Sequence, residues 1–145
     1  MSAPYHYDIC GLSNVYLTGG VTQHETPYGT GVSITAADAL HTVLAQSLMG
    51  LERDLSGEEH RFLRTILDLA PDDGLFRSYG LGERAVRNHE DARAVPVPAA
   101  MDVAIRAIAA KLRADLVGPR CRQQPIGARI AVAHTPAGWV LQDAA

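Results

Sequence analysis

An α+β fold is predicted for this 145-residue chain, and three observations lead there. The first third alternates apolar and polar residues around glycines, as short antiparallel strands do. The middle places apolar residues at helical spacing behind recognisable N-caps, and the last stretch alternates again around a Pro- and Gly-containing turn. The expected architecture is a small N-terminal antiparallel β-sheet plus helix over residues 1–55, a helical module over 56–117 and a C-terminal β-hairpin over 118–145.

The elements follow in order. YHYDIC and VYLTGGVTQHE read as extended pieces, and PYGTGVSI ends in the β-branched alternation of Val32 and Ile34. Thr35 with Asp38 resembles a capping pair for a helix whose face is Leu40, Val43, Leu44, Ser47 and Leu48, ending near Gly50. Ser56 and Glu59 form a capping box ahead of the stripe Phe62, Leu63, Ile66 and Leu67, with Pro71 closing that helix or opening the next. DDGLFRSYG and GERAVRNHEDAR then read as two helices meeting at Gly80. ARAVPVPAA is an extended connector, because each X-Pro step drives the preceding residue out of the helical region. Met101, Ile105, Ile108, Leu112 and Leu116 mark one amphipathic helix ending before Gly118, and HTPAG is the turn of the terminal hairpin.

The pair meeting at Gly80 has the requirements of a helix-turn-helix. A tight turn between two steeply crossed helices needs a residue free to take positive φ, which glycine supplies. Leu81 covers the angle, Val86 is the inward anchor of the second helix, and the opposite face carries Glu83, Arg84, Arg87 and Asn88. Arginine bonds guanine bidentately and asparagine bonds adenine bidentately, so these are suitable types for reading base edges. Arg77, Ser78, Arg93 and the Gly82 amide are candidate phosphate contacts. Charge points the same way: residues 76–122 carry a net +4, whereas residues 1–60 carry −6 within an overall −3.

Residues 57–112 resemble the five-helix, lambda-repressor-type module of XRE-family transcriptional regulators. The resemblance rests on Phe62, Leu63, Leu67, Gly80-Leu81, Val86, Glu90 and the helix from Met101. The flanks YHYDICGLSNVYL and HETPYGTGVSI, with the terminal Gly138-Trp139, resemble bacterial regulators of the MqsA-like antitoxin type. Two positions depart from the pattern: His89 stands where Trp or Tyr is common, and Phe76 stands where a small residue usually lets the helices cross. The resemblance implies a homodimeric regulator, a repressor that binds double-stranded DNA, and the first residues, which read as no leader, add the expectation of a cytoplasmic protein. Its alternative is an antitoxin or interaction module that grips a protein partner such as a toxin and whose helix-turn-helix has lost or altered DNA binding. A third reading is a sensor using a pocket between the N-terminal sheet and the helices.

Enzymatic chemistry is not expected. His24-Glu25 lacks a partner at ligand spacing, and His6 with Cys10 on one strand face makes only half a metal site. The paired C-x-x-C motifs of better-characterised MqsA antitoxins are represented by Cys10 alone, so neither zinc nor another cofactor is expected. Cys10 and Cys121 read as two reduced thiols. MSAPYHYDIC has neither a basic start nor an apolar signal core, and no apolar run is long enough to span a membrane.

Overall fold

A computed structural model describes residues 3–142. It is α+β, with five α-helices and two small sheets. The strands are β1 (Tyr5–His6), β2 (Val15–Thr18), β3 (Val21–Thr26), β4 (Gly29–Ile34), β5 (Ile130–Thr135) and β6 (Gly138–Gln142). The helices are α1 (Ala37–Met49), α2 (Gly57–Ile66), α3 (Gly74–Arg77), α4 (Glu83–Asp91) and α5 (Ala99–Leu112).

The terminal hairpin does not stand apart. β5 lies beside β2 in parallel, from Val15 opposite Ile130 to Thr18 opposite Ala133, so one sheet runs β1-β2-β5-β6. Parallel pairing needs a long crossover, and here the whole helical stretch is that crossover. α1 packs on the β6 side, and Leu12, Val15, Leu17, Leu44, Phe76, Met101, Ile130 and Trp139 belong to one continuous core. Trp139 donates its indole N–H to the Thr35 carbonyl at 2.7 Å. Its ring covers Gly20, which has φ +68° and where a Cβ would come within 2.6 Å of the indole.

The second sheet is the β3–β4 hairpin alone, paired from Val21–Ile34 to Thr26–Gly29. Residues 22–30 are all exposed, so this ribbon projects from the body.

Arg106 joins α5 to the chain around α1. Its Nε donates to Asp102 Oδ2 at 2.9 Å, Nη1 to the Met49 carbonyl at 2.8 Å, and Nη2 to the Leu51 and Arg53 carbonyls. Asp102 Oδ1 accepts the Leu55 amide at 2.9 Å. Both side chains are buried, and each polar end is hydrogen bonded, the condition under which a buried ion pair is tolerable.

Several local expectations shift. Ser56 and Glu59 do form a reciprocal capping box. α1, however, starts from Ala36 in the left-handed region at φ 48° with no side-chain cap, so Thr35 and Asp38 do not cap it. α2 ends at Ile66, before Pro71, which lies in a turn outside both helices. The α5 helix stops at Leu112, which is exposed. Arg113 leaves helical geometry at φ −140°, and a short 3₁₀ turn at Ala114–Leu116 returns Leu116 to the core. β1 is only two residues long, so His6 and Cys10 do not share a strand.

Gly57, the first residue of α2, meets the end of α4. A Cβ there would lie 2.6 Å from the Ala92 carbonyl oxygen and 2.8 Å from that of Glu90. These are backbone atoms and cannot swing aside. Gly57→Ala is therefore expected to destabilise the protein by about 1–3 kcal/mol, read as a lowered denaturation midpoint. A change of only a few tenths of a kcal/mol would show that α2 and α4 are less tightly opposed.

Candidate nucleic-acid interface

The segment from Asp73 to Asp91 is built around one turn. Asp73 caps α3, accepting the Leu75 amide at 2.9 Å. After a single helical turn the chain wraps the Phe76 carbonyl, which accepts both the Tyr79 and Leu81 amides at 3.0 Å. Gly80 takes φ +77°, a value glycine adopts without penalty. α4 then starts at Gly82 with no side-chain cap, so its first-turn N–H groups have no side-chain partner.

Phe76 occupies the place where a small residue usually lets the helices cross. It is fully buried, 5.9 Å from the His60 ring. Because α3 is one turn long, the ring fills the core beneath the turn rather than wedging two long helices apart.

α4 divides cleanly. Val86 and Glu90 are buried, while Glu83, Arg84, Arg87 and Asn88 are exposed. Spacings of one and four residues put these four on one face of the helix. Arg87 donates from Nε to Glu83 Oε1 at 2.8 Å, an exposed i,i+4 pair with side chains 59% and 49% accessible. Such a pair is worth little in water and exchanges readily for another acceptor.

The inner face is locked by a carboxylate. Glu90 Oε2 accepts from His60 Nδ1 at 2.7 Å, and Arg64 donates to both Glu90 oxygens at 2.8–3.2 Å. A carboxylate only accepts, so His60 Nδ1 carries the hydrogen. His60 Nε2 has no hydrogen-bond partner. Arg64 also bonds the Leu69 carbonyl at 3.0 Å, tying the loop after α2 to the same cluster. Sequence reasoning used Glu90 but missed His60 and Arg64. The signal was present: His60, Leu63, Arg64 and Leu67 share one face of α2, so two polar groups sit on its apolar side.

The remaining candidates are distributed unevenly. Arg77 and Arg84 are exposed and, among the described residues, their side chains make no hydrogen bond or ion pair. Ser78 is exposed and donates its hydroxyl to the Leu75 carbonyl at 2.6 Å. Arg93 is held by Glu58 at 3.1 Å and by the Gly11 carbonyl at 3.0 Å. Much of the positive charge counted over 76–122 is likewise engaged: Arg106 with Asp102, Arg113 with Asp115, and Arg120 with the Leu51 and Glu52 carbonyls.

Other groups singled out in the sequence lie elsewhere. His24 bonds Ser33 Oγ at 2.9 Å on the exposed ribbon, and His6 bonds the Ser13 carbonyl at 2.7 Å. Among the described residues no three of His, Cys, Asp and Glu gather as a metal site, and both cysteines are free. A cavity of about 550 Å³ lies between the loop after β1 and helices α1 and α2, lined by Ile9, Cys10, His41, Phe62, Ile66 and Arg113. Burial raises the Cys10 thiol and lowers the His41 imidazole relative to their ordinary values. No helix among the described residues is long and apolar enough to cross a membrane. No family model, curated protein or solved structure matches the chain.

The lock on α4 has a pH signature. Burial alone would raise the Glu90 carboxyl, but hydrogen bonds and charge from His60 and Arg64 outweigh it and hold the group below its ordinary value of 4.5. Protons therefore bind the unfolded chain more readily. The stabilisation is complete above the unfolded value and is lost as pH falls through the lower folded one. Glu90→Gln should cost about 3 kcal/mol at neutral pH by leaving Arg64 without its partner. It should also flatten the acid limb of the stability profile, measured by denaturant unfolding across pH. An unchanged acid limb would exclude Glu90 as its source.

Proposed function

We propose that the protein is a sequence-specific DNA-binding transcriptional regulator of the helix-turn-helix kind, a dimeric repressor, with α4 entering the major groove. One observation carries the reading: the outer face of α4 presents Glu83, Arg84, Arg87 and Asn88 to solvent while Val86 and Glu90 hold its inner face. A recognition helix needs base-reading side chains on a rigid support. Arg84 is unpaired and Arg87 is only weakly committed to Glu83. Arg77 and the uncapped start of α4 are suited to phosphates, since free amides at a helix N-terminus favour an anion. The lambda-repressor-like arrangement belongs to this proposal, with α2, α3 and α4 in the roles of its first three helices. Arg93 enters only as a phosphate contact that must first leave Glu58.

A second reading is favoured by a specific observation. α3 is only four residues long, and the positive charge around the turn is partly consumed by internal pairs. An antitoxin-like interaction module with altered DNA binding would keep the same fold while gripping a toxin or another protein.

Binding of the purified chain to the DNA upstream of its own gene, at two salt concentrations, separates the readings. The regulator reading expects a specific complex that weakens steeply with salt. Arg87→Ala or Asn88→Ala should cost about 1–3 kcal/mol and relax preference at one base position. Arg77→Ala should instead weaken all sequences alike and lower the salt slope by about one. No specific complex with any upstream fragment at low salt would overturn the reading.

A further inference from the structure

The β3–β4 ribbon is the least explained part of the molecule. Only Val21 and Ile34, at its base, pack against the core. A lone two-stranded hairpin is marginal in water, yet this one ends in Tyr28, a residue 99% exposed.

Its free edges are not equivalent. The two-residue connection makes Thr26 and Gly29 a mutually hydrogen-bonded pair, so 24–31 and 22–33 are bonded pairs as well. The Thr35 amide donating to the Gly20 carbonyl at 2.9 Å continues that alternation. Residues 30, 32 and 34 therefore turn their N–H and C=O groups away from β3, with no strand beyond them. Their side chains, Thr30, Val32 and Ile34, are all β-branched and share one face, while Gly29, Gly31 and Ser33 occupy the other. Proteins guard open edges with Lys, Pro, bulges or inward charges; residues 29–34 have none of these.

We propose that β4 is a dimerisation edge whose occupant is β4 of a second copy, forming an antiparallel four-stranded ribbon β3-β4-β4-β3 about a two-fold axis at Val32. In that register Val32 faces its own counterpart and Thr30 faces Ile34, so about six backbone hydrogen bonds form with β-branched pairs on one face. Strand 29–34 carries no charged residue, so the two-fold sets no like charges opposite one another. The outer edge of β3 is a poorer choice, because a two-fold at Gln23 would oppose Val21 to the carboxylate of Glu25. The same register brings Tyr28 level with Ala36 of the second copy, beside the uncapped start of α1. Burying that ring would contribute about 150–250 Å² per copy toward the roughly 800 Å² per partner of a standard interface. The dimer is accordingly concentration-dependent rather than permanent.

Sedimentation equilibrium of the full chain, without DNA, tests this. The wild type should show a reversible shift from 15.5 kDa toward twice that mass. Val32→Pro keeps every hairpin bond, because its N–H points outward, and removes two central intermolecular ones. It should raise the dimer dissociation constant roughly thirtyfold with an unchanged circular dichroism spectrum. Val32→Lys and Val32→Glu should each be monomeric alone and form a mixed dimer together, an outcome that a general loss of folding would not give. A wild type that stays monomeric while pairing with a different protein overturns the proposal. So does a dimer indifferent to all three substitutions. The inference supplies the interface of the dimeric regulator proposed above, yet the failures are distinguishable: a monomer that binds an operator half-site would sink the dimer but leave DNA reading by α4, and a β4 dimer with no DNA affinity would sink only the DNA reading.

Discussion

The orientation of α4 rests on the carboxylate of Glu90. It meets His60 at 2.7 Å and Arg64 at 2.8 Å in a place where Glu90 and His60 are almost wholly buried. Taking a carboxylate out of water costs several kcal/mol, and only good geometry with every lone pair engaged offsets that. Glu90 meets the condition through four short contacts from two side chains of α2. The return is directional. A purely apolar contact through Val86 would let α4 rotate about its axis, whereas the carboxylate fixes which residues point inward. Glu83, Arg84, Arg87 and Asn88 face out because Glu90 must face in.

Packing at the start of α2 completes the arrangement. Its Gly57 and Glu58 amides, orphans of a helix N-terminus, donate to the Val95 and Arg93 carbonyls at 3.1 Å. Gly57 has no side chain to keep the end of α4 away. On the far side, Arg106 gathers carbonyls from the end of α1 and the following loop. The helical layer is thus pinned by two charged clusters embedded in one apolar core. The β3–β4 ribbon lies outside both, with only Val21 and Ile34 at its base packed against the core.

What was legible in the sequence was local. The Ser56–Glu59 box, the turn at Gly80 and the outward set on α4 follow from spacing alone, and the structure shows each at those positions. Long-range pairing was not legible. The parallel match of Val15 with Ile130 joins residues from opposite ends of the chain, and strand alternation does not distinguish it from a freestanding hairpin. Arg93 looked free because its partner, Glu58, lies 35 positions away. Phe76 looked obstructive because the helix-turn-helix pattern has a small residue at that crossing, whereas this chain makes a single turn there and buries the ring. Leu112 fitted the apolar period yet is exposed, since the helix ends there and the period carries no information about its end.

The central claim is that α4, oriented by Glu90, reads base edges. Amide chemical-shift mapping of the labelled protein, titrated with a duplex selected from a random pool, tests it most directly. The account predicts enrichment of one sequence and shifts concentrated at the exposed residues Arg77, Ser78, Glu83, Arg84, Arg87 and Asn88. Shifts confined to the β3–β4 ribbon or to α1, or a pool from which no sequence is enriched, would contradict it.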